Sequence, residues 1–543
     1  MKKRVVIIFI LLAGILFIGN NSISLWDQDE AAYAGFGKTM IETGDYTIPQ
    51  FTWSEVHRKT PLHFWLISVA YKIFGINEFA VRFFSSLAIF LVYVLIYVYG
   101  KRWLKEQEAF FASIILGTSI FVPMLGKMAI TDGLLLLFHT LAAFSLIEVL
   151  RTKSFKQVLI FWFAISMGLL VKGPPILIFA GFMIILLFIF HKNRMNLIRL
   201  HPWIFGFIAI LPLYLWGREA WQKDGGEFIK WLIDWYILTR VDKSVFSQTG
   251  PPGYFLASFV IFFVAYLAFL PAAFINAFKS FKNKESNTFI LLIWLISGWL
   301  FYEFLKSKLP AYAVAAYPAI AMLISQQILK FGSEIDSPKL VKISAAFQTF
   351  FAMVIFGASI LAVIEFLPKE WSFLPKFFTV FVPFLFFAGS VLGLILVITN
   401  RRKKFIDITI ANAFVFTALS FIVLLPAIDN IKNSTKRVAE YVATNSDIDK
   451  IVISNKYAKP PSLPFYLEVM NPNADIEEDY NIQSLMEKYE SDTSYAFILT
   501  KEQLEEIRKK DPRMDIKEIS SFSTGKSGKN NYFITFNKCR NCE

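Results

Sequence analysis

Ala80-Val-Arg-Phe-Phe-Ser-Ser-Leu-Ala-Ile-Phe-Leu-Val-Tyr-Val-Leu-Ile-Tyr-Val-Tyr99 decides the fold. Its only charge, Arg82, stands at the start, and apart from Ser85 and Ser86 the rest is apolar or aromatic. Roughly 20 such residues in a helix cross a hydrocarbon core about 30 Å thick. Working outward, comparable runs centre near residues 5–20, 109–126, 133–150, 158–171, 175–190, 203–217, 254–278, 288–305, 311–329, 343–367, 377–399 and 407–426. Together they predict an α-helical polytopic membrane protein of about thirteen transmembrane helices. Gly173-Pro174-Pro175 separates two of the shorter runs, as proline requires.

Composition agrees. Of 543 residues, 55% are hydrophobic and 18% charged, against about 45–50% and about 25% in an average soluble chain. This excludes a disordered chain and an ordinary cytosolic enzyme. The net charge of +13 invites a nucleic-acid reading until it is divided along the chain. Residues 428–543 hold 17 Lys/Arg and 19 Asp/Glu, so the apolar part carries all of the excess. Assuming a cytoplasmic N-terminus, 22 basic residues fall in seven short segments on the inner side, from Lys2-Lys3-Arg4 to Arg401-Arg402-Lys403-Lys404. The short outer loops hold Lys127, Lys172, Lys306, Lys308, Lys369 and Lys376. That asymmetry orients membrane proteins, so it is read as topology, with no nucleic-acid partner. Thirteen spans put the C-terminus outside.

Residues 1–427 are therefore expected to form the membrane domain, with two long outer segments at 21–79 and 218–253. Both are polar and aromatic, with Trp26, Trp53, Trp65, Trp221, Trp231 and Trp235, a composition suited to the membrane surface. Residues 1–20 resemble a secretory signal but read as a retained anchor, since no small-x-small cleavage site follows. Residues 428–543 read as a water-soluble outer α/β domain. Its expected strands are 450–454, 495–499 and 532–536, with a helix through Tyr441 capped by Ser434 and another at 501–510.

Polar residues able to do chemistry share the outer face. Trp26-Asp27-Gln28-Asp29-Glu30 opens the first outer segment. Its three carboxylates would be stabilised by a cation, a basic partner or raised pKa values, or would start a solvated helix favoured by the helix dipole. His57-Arg58-Lys59-Thr60-Pro61 closes the same segment. Lys127, Asp132, Lys172, Arg240, Lys243 and Lys306-Ser307-Lys308-Leu309-Pro310 with Tyr312 fall on that face too. Each has a plain structural alternative as a cap, a snorkelling cation or a turn residue. One converging site explains them jointly. The five histidines lack H-x-x-x-H spacing, and Cys539 and Cys542 are equally a local disulfide or an inert tail.

Asp29-Glu30 with Tyr33, Thr43-Gly44-Asp45, and Lys59-x-Pro61-Leu62-x-x-Trp65 resemble the first loop of bacterial polyprenyl-phosphate-sugar transferases. Phe74-Gly75-x-x-Glu78-x-Ala80-x-Arg82, Asp132, Lys172-Gly173-Pro174 and Lys308-Leu309-Pro310-x-Tyr312 continue the likeness in order, over about residues 20–330. These are GT-C glycosyltransferases, which include lipid A aminoarabinose transferases and protein O-mannosyltransferases. The resemblance implies inverting sugar transfer from a polyprenyl (undecaprenyl) phosphate donor to lipid A or another lipid or glycan acceptor outside a bacterial inner membrane. It also implies catalytic roles for Asp29 and Asp132, and substrate contacts at Glu30, Tyr33, Lys59, Arg240, Lys308 and Tyr312. The chain departs from the aminoarabinose subgroup at Ala32, where that subgroup has Arg, and at Arg58, where it has a metal-contacting Glu. A divalent metal near the first loop is thus an expectation without a defined ligand set. Transfer to protein hydroxyls is the nearest alternative. A transporter of lipid-linked sugars would place ionisable residues near mid-span and often repeat itself, and neither pattern is evident.

Overall fold

The computed structural model describes residues 2–26, 28–54, 58–234, 249–333, 338–365, 373–432, 435–444, 448–454, 460–510, 512, 515–522 and 529–537. Helix α1 (Lys2–Phe17) leads into the outer segment, which forms α2 (Asp29–Thr43) and α3 (Leu62–Phe74). Then follow α4 (Glu78–Gly100), α5 (Glu106–Gly117), α6 (Phe121–Gly126), α7 (Thr131–Thr152), α8 (Phe155–Lys172), α9 (Pro175–Phe190), α10 (Pro202–Asp224) and α11 (Glu227–Ile233). Further apolar helices run from Tyr254 to Lys432, ahead of the C-terminal α/β region.

Eight described helices are long and apolar enough to cross a membrane. A ninth crossing results if Arg194–Leu200 and α10, which meet at 48°, count as one bent span. The protein is a multi-span membrane protein; the described helices show eight or nine crossings of full length, fewer than the thirteen expected, and the other apolar runs form shorter or broken helices. The run 109–126 divides into α5 and α6 at Thr118-Ser119-Ile120, and the run 254–278 divides after Phe262. The two breaks meet: Ile120 N donates to Phe262 O at 3.0 Å, and the hydroxyls of Thr118 and Tyr266 lie 2.6 Å apart. One backbone bond and one pair of buried hydroxyls thus join the two breaks inside the protein, the condition under which non-helical backbone persists at membrane depth.

The C-terminal region carries a five-stranded sheet in the order β2-β1-β3-β5-β4. Strands β1 (Lys450–Ile453), β2 (Asp475–Glu478) and β3 (Tyr495–Leu499) are parallel, while β4 (Lys517–Phe522) and β5 (Lys529–Phe536) pair antiparallel, β5 also against β3. A helix covers Thr435–Ala443; its expected cap, Ser434, lies outside the described residues, as do Cys539 and Cys542. The expected strands and the 501–510 helix are present. The sheet also contains β2 and β4, whose sequences DIEE and KEISSF show little apolar alternation because both are edge strands.

A single buried cluster joins this region to the first outer segment, with Leu25, Tyr33, Phe36 and Phe64 packed together with Val438, Leu463, Tyr466 and Ile534. Helix α2 is accordingly buried continuously from Glu30 to Lys38. Gly35 and Gly37 permit this closeness, since a Cβ there would lie 2.4 Å from the Phe51 ring and 2.5 Å from Ile67. The first segment is thus packed against the C-terminal region. Helix α3 retains a surface-seeking face through Val69, Ile73 and Phe74, all exposed.

Candidate active site

The site assembles where helices end. Asp132 occupies the first turn of α7, and Lys172 is the last residue of α8. Gly173, at φ 74°, ends α8 and hands over to Pro174-Pro175, which starts α9. Lys172 Nζ lies 2.7 Å from Asp132 Oδ1, with both side chains largely buried. Lys59, buried ahead of α3, donates to the Tyr33 hydroxyl and lies 4.7 Å from that ring's centre. Tyr312 comes from the 3₁₀ turn Pro310–Ala316, its ring 6.1 Å from that of Tyr302.

Lys59, Asp132, Lys172 and Tyr312 line one cavity of about 520 Å³. Its remaining wall is chiefly apolar, from Leu169, Leu177 and Ile178 on one side to Ile210, Leu213, Trp216 and Ile233 on the other. Thr60 and Ser307 line it too, and neither buried hydroxyl has a hydrogen-bond partner. A few charged groups at one end of a greasy chamber suit an amphiphile with an anionic head. The two outer segments meet beside it: Trp216 Nε1 donates to Thr47 O at 2.8 Å, Lys223 pairs with Asp45 at 2.5 Å, and the Arg58 guanidinium lies 5.1 Å from the ring centres of both Phe228 and Trp231.

Residues 58–216 match the profile of the dolichyl-phosphate-mannose-protein mannosyltransferase family. An undecaprenyl phosphate-α-4-amino-4-deoxy-L-arabinose arabinosyl transferase of Proteus mirabilis (strain HI4320) is 26% identical over 369 residues, 65% of each protein. The match thus spans just under two thirds of that relative's length. An uncharacterised protein of Aquifex aeolicus is 25% identical, over 72% of this chain and 79% of its own. The crystal structure of ArnT from Cupriavidus metallidurans bound to undecaprenyl phosphate superposes with a TM-score of 0.76, covering 99% of both chains at 15% identity. The chain shares the fold of that structure.

Within this fold, the residues singled out from sequence take different places. Asp132, Lys59 and Tyr312 reach the cavity, and Tyr33 supports Lys59 from outside the lining. Asp29 is the exposed first residue of α2, outside the lining set. It lies one helical turn, about 6 Å along the axis, before Tyr33 and on the same face. Gln28, just before it, has φ 72° and ψ −96°, a strained conformation for a residue with a side chain. Arg240 and Lys243 lie outside the described residues, as do His57 and Asp27.

Glu30 and Lys308 face away from the cavity. Glu30 Oε1 accepts from Arg82 Nε at 2.8 Å and Ala129 N at 2.7 Å; Oε2 accepts from an Arg82 terminal nitrogen and from Trp26 N, each at 2.8 Å. Both oxygens are thereby committed to holding the chain. Lys308 Nζ donates to Pro251 O at 3.1 Å and to Glu303 Oε2 at 3.3 Å, while its neighbour Ser307 takes the place on the cavity wall. His63 places Nε2 3.1 Å from Ala129 O, and burial holds its pKa down to about 4, so it is neutral at physiological pH. Among the described residues, no group of three or more His, Cys, Asp or Glu side chains is placed to hold a metal ion.

The C-terminal region grips the segment that carries Asp29. Tyr466 Oη accepts from Leu25 N at 2.7 Å and donates to Glu78 Oε1 at 3.0 Å; Lys436 also pairs with Glu78 at 2.6 Å. Asp429 accepts from the Ser24 amide and hydroxyl. Glu468 accepts from Lys38 and from the Trp53 indole at 2.9 and 2.8 Å. Burial alone would lower the Lys38 pKa, but hydrogen bonds to Glu42 and Glu468 outweigh it and raise the value. Buried polar groups paired this fully fix a single arrangement of the entry to α2.

Proposed function

We propose that the protein is an inverting glycosyltransferase. It moves a sugar from a polyprenyl (undecaprenyl) phosphate donor to an acceptor at the outer face of a bacterial inner membrane, with the N-terminus cytoplasmic and the C-terminal region extracytoplasmic. The observation that carries this reading is the single cavity in which Lys59, Lys172, Asp132 and Tyr312 stand at the edge of an apolar chamber between membrane helices. The names of the arabinosyl-transferring relatives and the undecaprenyl phosphate bound by ArnT support a lipid-phosphate donor. Lipid A is the acceptor implied by the resemblance to the lipid A aminoarabinose transferases, and a protein hydroxyl is the acceptor suggested by the mannosyltransferase profile.

The chemistry follows from charge. An acceptor oxygen forms a bond to the anomeric carbon as the bond from that carbon to the phosphate oxygen breaks. Negative charge then collects on the departing phosphate. Lys59 and Lys172 stabilise it, Tyr312 donates a hydrogen bond, and the low-dielectric wall strengthens all three. Asp132 fixes Lys172 at 2.7 Å and so aims the cation without neutralising the whole site. Asp29 accepts the acceptor's proton when that acceptor is a hydroxyl.

Lys59→Met keeps much of the stem's bulk and removes the charge. With purified protein and a radiolabelled undecaprenyl-phosphate sugar, it is expected to lower kcat about 10²- to 10³-fold, as loss of one preorganised donor does. Undiminished turnover would remove Lys59 from the phosphate site.

A further inference from the structure

Resting on the donor reading above, we infer that the donated sugar is neutral and polyhydroxylated, that Thr60 and Ser307 recognise its hydroxyls, and that an ammonium-bearing sugar is the poorer substrate. Two independent observations lead here: unmet hydroxyls in the cavity wall, and the charge balance of that wall.

Thr60 and Ser307 are 6% and 1% exposed, yet the oxygen of neither finds a hydrogen-bond partner. Buried polar groups are rarely left so, because their desolvation is then uncompensated. Both line the same cavity, from different parts of the chain. Thr60 directly follows Lys59, and Ser307 lies five residues before Tyr312, on an extended stretch that bridges to Thr249. The hydroxyls therefore share one cavity with the groups assigned to the phosphate, where the attached sugar would sit. A hydroxyl both donates and accepts, so a sugar hydroxyl satisfies it in either sense, whereas an ammonium can only donate.

The charges point the same way. Among the described residues lining the cavity, the charged ones are Lys59, Lys172 and Asp132. Their sum is +1, which a singly charged phosphodiester with a neutral sugar cancels. A cationic amino sugar would restore an uncompensated positive charge in an apolar enclosure, where isolated charge is costly. It would also need a carboxylate. Asp132, the one in the lining, is already engaged by Lys172, Glu30 is closed off by Arg82, and Asp29 stands outside the lining, where it is assigned to the acceptor's proton.

The test measures binding of three lipids to the purified full-length protein in nanodiscs. They are undecaprenyl phosphate alone, undecaprenyl phosphate bearing mannose or glucose, and undecaprenyl phosphate bearing 4-amino-4-deoxy-L-arabinose. The hexosyl lipid is expected to bind at least about tenfold more tightly than the aminopentosyl one. Thr60→Val and Ser307→Ala should each weaken the hexosyl lipid about tenfold, with binding of the sugar-free carrier changed less than about twofold, an interaction of one hydrogen-bonded hydroxyl. The two variants serve as independent checks, and thermal unfolding of each confirms its fold. The inference is overturned if the aminopentosyl lipid binds as well or better, or if both variants weaken the bare carrier as much as the hexosyl lipid. Failure of all three lipids to bind would instead remove the donor reading itself.

Discussion

Asp29→Asn is expected to abolish measurable transfer to a hydroxyl acceptor while leaving the protein folded. Asparagine has the same shape as aspartate but cannot take up a proton, and loss of a general base lowers kcat about 10²- to 10⁴-fold. Asp29 is exposed at the start of α2, so its replacement removes no core packing. The KM for donor should stay within a few-fold, because the phosphate contacts assigned to Lys59, Lys172 and Tyr312 are untouched. Steady-state kinetics with a lipid-linked donor and a hydroxyl acceptor make the comparison. A variant with parental kcat would show that Asp29 is no base, leaving the acceptor to be activated elsewhere or, as with a phosphate acceptor, to need no activation.

The second large effect concerns stability. Arg82 has five N–H donors, and the structure supplies five acceptors: the two Glu30 oxygens, Asn20 O, Ile23 O and Ser24 O, at 2.6–2.9 Å. Arg82 and Glu30 side chains are both fully buried. This knot ties the entry to α2, beside Asp29, to Ala129, three residues before Asp132. Arg82→Met leaves Glu30 as an uncompensated buried charge and three carbonyls without their donor. The expected cost is about 3–5 kcal/mol, read as early loss of monodisperse protein on heating in detergent. Because the two residues share one network, the double variant Glu30→Gln/Arg82→Met should lose less than the sum of its parts. Parental heat resistance in Arg82→Met would mean that the knot contributes little.

Much of the architecture was legible because apolar length is a strong signal, and the span at 80–99 appears as α4 almost residue for residue. The breaks near Thr118 and Phe262 were not, since a helix interruption rescued by a partner 140 residues away leaves no local mark. At the site, the acidic run identified the region but not the role of each carboxylate. Asp29 and Glu30 differ by about 100° around one helix, which suffices to send the first outward and the second into the guanidinium of Arg82. The same one-residue ambiguity separates Lys308, bound to Glu303, from Ser307, which faces the cavity along an extended stretch. Charge drew attention to Lys308; the significance of Thr60 and Ser307 emerges only from their buried, unpartnered state.

The central claim is that the cavity beside Lys59 and Lys172 receives the lipid phosphate. It is tested most directly by photo-crosslinking with a benzophenone-bearing polyprenyl phosphate, followed by peptide mapping. The expected label falls on Leu169–Ile178 and Ile210–Ile233 and disappears on competition with undecaprenyl phosphate. Label confined to the helices Pro338–Glu365 and Phe373–Ile398, indifferent to that competitor, would contradict the account.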